Sequence, residues 1–131
     1  MSSDNQSDRQ WMTGQAHAAI VLVGAPTLRE GGQPVTDFAE ASGIADTMTD
    51  LLRELNGAGL AAPQIGVAKA IIVVEVRKTD LFPDRPVSPL IVMVNPRIVS
   101  ASEEVETGWE GCFSVPGLMG LVDRSKTIEV E

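Results

Sequence analysis

At 131 residues the chain has room for one domain with a single core. Hydrophobic residues make up 44% and charged residues 21%, an ordinary globular mix, while aromatics fall to 4% with no Tyr, so aliphatic side chains must fill most of the core. A formal net charge of -8 argues against binding nucleic acid or anionic membrane through bulk electrostatics.

The single cysteine, Cys112, excludes an internal disulfide and makes a cytoplasmic setting the default. No stretch approaches the roughly 20 apolar residues of a membrane helix. The opening residues are polar and lack the apolar region of a secretory signal, so residues 1–16 read as a frayed tail and 17–131 as the domain.

Residues 17–23 lean toward β structure, and Gly24, Ala25 and Pro26 close them with a turn. Residues 27–36, broken by Gly31, Gly32 and Pro34, read as a loop. Phe38, Ala41, Ile44, Ala45, Met48, Leu51, Leu52 and Leu55 then recur at three- and four-residue steps, which predicts a helix with one buried face. Thr36 or Asp37 is the expected N-cap, with Glu40 placed for a capping box, and Asn56 with Gly57 ends the helix. Gly43 is an unfavourable residue inside it, costing about 1 kcal/mol against Ala. Residues 70–76 predict a buried strand, 81–89 with three prolines a loop, and 90–94 a further strand closed by Asn95 and Pro96. Residues 97–102 are read as extending that strand past the turn. Residues 109–114 look extended, Pro116 and Gly117 turn the chain, and 125–131 alternate as a last strand. The order predicts an α+β fold with mostly antiparallel sheets around a central helix.

Two segments carry chemistry. In Gly57-Ala58-Gly59-Leu60-Ala61-Ala62-Pro63-Gln64-Ile65-Gly66, glycines at alternate positions let another backbone approach, and the Gln64 amide can donate to a developing oxyanion. A tight helix-to-strand turn with a solvated glutamine explains the same residues structurally. In Glu110-Gly111-Cys112-Phe113-Ser114, the thiol can be a metal ligand, a nucleophile or inert core.

Taken together, a GxGLAAPQ segment followed by EGCxS resembles the first two of three signature motifs of the peptide deformylases. These are metal-dependent hydrolases that remove the N-formyl group from the starting methionine of new proteins. The resemblance runs from about Ile20 to Glu131. It implies that Cys112 is a metal ligand, with Fe(II), Zn or Ni as the metal of a complete enzyme. It implies that Gln64 and the Phe113 backbone N–H hold the oxyanion. It also implies that Gly57, Ala58 and Gly59 pair with the substrate backbone as an added strand, and that Leu60 helps shape the methionine pocket. Phe113 departs from the leucine common at its position, a mild change for a main-chain role. Arg124 falls where the family carries an arginine near the acidic residue, which suggests a Glu110–Arg124 ion pair. The implied partners are formyl-methionyl nascent peptides, with the ribosome as a meeting place, and no nucleic acid or membrane. Bacterial cytoplasm is the implied setting, with phage or organellar origin as alternatives.

The third family motif, HExxH, is not among these residues: the single histidine is His17, read as a surface residue. Its two histidines would complete the metal site and its glutamate would move protons. The expectation is therefore an incomplete domain that stops within a strand, lacks the C-terminal helix, keeps no metal and is inactive alone. A catalytically dead peptide-binding module is the alternative. A thiol protein using Cys112 is a weaker third reading, since no second cysteine or basic cluster supports it.

Overall fold

The computed structural model describes residues 17–80 and 82–131. The expected tail over 1–16 and Leu81, the first residue of the expected proline-rich loop, lie outside the described residues.

The long helix, labelled α2 and spanning Phe38–Glu54, lies where the apolar spacing predicts it, except that Phe38, the first residue of the expected buried face, is exposed. Asp37 caps its start, accepting the Glu40 N–H at 3.1 Å. At its end the Gly57 N–H returns to the Leu52 carbonyl at 3.1 Å and the Asn56 N–H to the Arg53 carbonyl at 3.2 Å. This is a Schellman stop, with Asn56 in the left-handed position at φ 53°; a short polar side chain tolerates that conformation better than most.

The helix packs on a three-stranded antiparallel sheet of order β1-β2-β3, made of β1 Gly59–Ala61, β2 Ile71–Val76 and β3 Ser88–Val94. Strand β2 is central, and its side chains alternate, so that Ile71, Val73 and Glu75 face the helix. Met48, Leu52, Leu60, Ile71 and Val73 form the fully buried centre, each contributing about 1.5–3 kcal/mol by leaving water. Glu75 is a charge on this apolar side, and its carboxylate is held by Arg53 at 2.9 Å and Arg77 at 3.3 Å. The Arg53 hydrogen bond, against the opposing effect of burial, pulls the Glu75 carboxyl below the ordinary carboxylate range. Pro89 is accommodated because β3 is an edge strand. Asn95 clamps the chain beyond it, exchanging hydrogen bonds with the Val35 N–H at 2.8 Å and carbonyl at 3.0 Å.

Four readings of the sequence change. Residues 17–23 form turns and irregular backbone instead of a strand. Within the expected loop stands a short helix, α1 Pro26–Glu30, because Pro26 is preset for a first helical turn. Residues 97–102 do not prolong β3: β4 Ile98–Ala101 leaves for a separate ribbon with β7 Ile128–Val130. In the remaining hairpin, β5 Val105–Cys112 with β6 Val115–Ser125, the chain reverses at Phe113 and Ser114. Pro116 and Gly117 fall instead where the register jumps, Gly111 pairing with Met119 and Cys112 with Val115. No helix among the described residues is long and apolar enough to cross a membrane.

Candidate active site

Strand β1 begins soon after α2 ends, and a 3-10 turn over Ala62–Ile65 follows it directly. Pro63 presets that turn, and Gly66 leaves it at φ 81°, a conformation suited to glycine. Gln64 is thereby fixed. Its Oε1 accepts the Ala61 N–H at 3.0 Å, which forces the amide nitrogen outward. Nε2 then stands 3.4 Å from Cys112 Sγ and 3.3 Å from the Ser114 hydroxyl, which is buried. The two motifs, distant in sequence, meet at this amide.

Cys112 is exposed and ends β5, with Phe113 next in the turn. The hairpin is braced on its far side by a fork in which Arg124 Nε donates to Glu110 Oε2 at 2.9 Å and Nη2 to Oε1 at 2.7 Å. That hydrogen bond, outweighing burial, holds the Glu110 carboxyl below its ordinary range. Residues 17–23 also have a use here. The Val21 N–H donates to the Gln64 carbonyl at 2.8 Å and the Val23 N–H to the Ser114 carbonyl at 2.9 Å, so one segment is tied to both motifs.

Between β1 and the hairpin lies a cavity of about 440 Å³, within the usual range for small-ligand sites. Gly57, Ala58 and Gly59 form one wall, and Gln64 with Gly111, Cys112 and Phe113 another. Among the described residues β1 pairs only with β2, and its other edge faces this space. Gly57 is required for a reason not visible in sequence: a Cβ there would stand 2.5 Å from the Phe113 ring. At Gly59 the nearest atom would be 3.8 Å away, so that position has room. Leu60 does not line the cavity. Alternation along β1 turns it into the core, where it is 2% exposed. The apolar lining comes instead from Leu55, Trp109, Met119 and the Phe113 ring. Trp109 and Met119 lie on one hairpin face, the partner of Trp109 being Leu121. Hydrophobicity flagged none of these as site residues, because their role depends on which face the register selects.

As a metal centre the donor set is incomplete. Among the described residues no three His, Cys, Asp or Glu side chains are grouped to hold an ion, whereas a catalytic site wants three protein ligands. His17 is engaged elsewhere, its Nε2 lying 3.3 Å from Glu54 Oε1.

Comparison with known proteins identifies the family and the fold. The family model described as polypeptide deformylase matches residues 17–131. Peptide deformylase 1 of Bordetella pertussis is 42% identical over 112 residues, covering 84% of this chain and 64% of that protein. Peptide deformylase 2 of Nostoc sp. is 38% identical, with 86% and 64% covered. Among solved structures, a class I type b peptide deformylase from Acinetobacter baumannii with bound Met-Ala-Ser superposes with a TM-score of 0.79 at 36% identity, over 85% of this chain and 72% of that one. The chain thus spans about 64% of the length of the curated relatives it matches. The chain belongs to the polypeptide deformylase family.

Proposed function

We propose that this chain provides the peptide-binding and oxyanion-holding part of a peptide deformylase site, which removes the formyl group from formyl-methionyl peptides. One observation carries the reading: the Gln64 amide donor stands 3.4 Å from the Cys112 thiol, at the end of an open strand edge. A peptide laid along Gly57, Ala58 and Gly59 hydrogen-bonds its backbone to β1 and brings its N-terminal formyl carbonyl toward Gln64. The Gln64 Nε2 and the Phe113 backbone N–H donate to that oxygen as negative charge develops on it. Leu55, Trp109 and Met119 supply the apolar surroundings for methionine. A relative's structure with bound Met-Ala-Ser supports this class of ligand. Nascent chains in the cytoplasm or at the ribosome are the substrate source this reading implies.

The family is metal-dependent, and Cys112 is the group in this chain suited to a first ligand, to Fe(II), Zn or Ni. The residues present do not complete such a site. Residues 17–131 act in this reading as a deformylase-like domain whose remaining ligands and general base are not among these 131 residues, so the polypeptide by itself is inactive. A metal-independent peptide-binding module is the second reading, favoured by the open β1 edge.

The test compares two proteins. The 131-residue polypeptide, given Ni(II), is expected to bind formyl-Met-Ala-Ser without turning it over. A chimaera carrying the HExxH segment of a complete family member should deformylate it. Turnover by the 131 residues alone overturns the inactivity, and a folded, metal-loaded chimaera without turnover overturns the deformylase reading. Binding by both proteins with turnover by neither leaves the binding module.

A further inference from the structure

We propose that Arg85 makes this site selective for peptides with an acidic side chain at the third residue. The proposal rests on the peptide-binding reading above and adds the chemistry of the downstream subsite.

Arg85 is the one charged side chain that lines the cavity among the described residues. Three constraints position it. The Phe82, Pro83, Asp84, Arg85 turn is closed by the Arg85 N–H to the Phe82 carbonyl at 3.4 Å, and Phe82 is itself tied to Thr79. The guanidinium lies 4.2 Å over the Phe82 ring, a stacking that holds its plane. Its Nη1 donates to the Asn56 carbonyl at 3.3 Å. None of the ion pairs among the described residues includes Arg85. A guanidinium carries five N–H donors in a fork that matches a carboxylate, and the described structure assigns one of them, to Asn56.

Distance along the strand sets which residue it reads. Gln64 and Cys112 mark the reacting end of the cavity, beyond the C-terminal end of β1. Arg85 is anchored at Asn56, on the N-terminal side of Gly59, at the other end. Extended chain advances about 3.3 Å per residue, so three peptide residues span roughly 10 Å, and we assign the third side chain of a bound peptide to Arg85. The chain's net charge of -8 works against anionic peptides at long range, so the preference is local and comes from this side chain.

The experiment is an NMR titration of the 131-residue protein with formyl-Met-Ala-Asp amide and with formyl-Met-Ala-Asn amide, which have the same shape. The terminal amides remove the C-terminal carboxylate as a second source of negative charge. The Asp peptide is expected to bind about two- to fivefold tighter, the range of a partly exposed ion pair. In Arg85→Gln the ratio should fall to one, and in Arg85→Glu it should invert. Equal binding of both peptides by the unaltered protein, or a ratio that survives in Arg85→Gln, overturns the proposal and leaves the peptide-binding reading standing. Binding of neither peptide overturns both.

Discussion

Gly57 has no side chain where the Phe113 ring packs, and the first motif depends on the second through that contact. Its φ is not in the left-handed region, so the demand is steric alone. Gly57→Ala should cost about 1–3 kcal/mol by overpacking. Adding Phe113→Leu should recover part of that loss, with a coupling of at least about 0.5 kcal/mol in a denaturation double-mutant cycle. Strict additivity would show that the ring does not set the requirement. Gln64 and Cys112 stand out in the sequence because an amide after a proline and an isolated thiol are chemically conspicuous. Trp109, Met119 and Arg85 do not, since their proximity to those groups arises only through space.

The helix α2 is legible in the sequence because a buried face repeats every three to four residues and its caps are local. Gly43 tests that account. It is exposed, and a Cβ added there would have no atom within 4 Å, so Gly43→Ala should stabilise the protein by about 1 kcal/mol, read as a higher urea midpoint. An unchanged or lower midpoint would mean that the added methyl meets a neighbour. Residues 17–23 suggest a strand through their valines and isoleucine. They bond instead to the carbonyls of Gln64 and Ser114, partners from distant parts of the chain. The hairpin turn departs from its expected place for a related reason. Pro116 and Gly117 are turn-like residues, yet pairing of β5 with β6 places them in a register jump.

Over the whole molecule, two arginine forks set the response to acid. Glu75 and Glu110 both titrate below the ordinary carboxylate range because Arg53 and Arg124 hydrogen-bond their charged forms. Their contribution is therefore complete above the unfolded-state range and is lost as pH falls through the lower folded-state values. The Tm should be level near neutrality and decline once pH drops below about 4.3. A Glu75→Gln, Glu110→Gln double variant should have a lower plateau and a shallower acid decline by circular dichroism. An identical acid slope in variant and parent would remove the forks from the account. The hairpin and the β4–β7 ribbon also expose Trp109, Leu121, Ile98 and Ile128, each at least 50% accessible. Patches of this kind favour association, so the 131-residue polypeptide should bind a hydrophobic dye and sediment faster as concentration rises. Leu121→Lys with Ile98→Lys should reduce both signals, and no change would mean these residues do not form the sticky surface.

Local chemistry was enough to establish the family, the helix with its caps and the two motif segments, because each depends on neighbours in the chain. Tertiary structure alone decided that Leu60 belongs to the core, that Phe113 dictates Gly57, that residues 17–23 tie the two motifs together, and that Arg85 borders the same cavity as Cys112. Those facts follow from strand register and from hydrogen bonds between distant segments, and no periodicity along the chain encodes them.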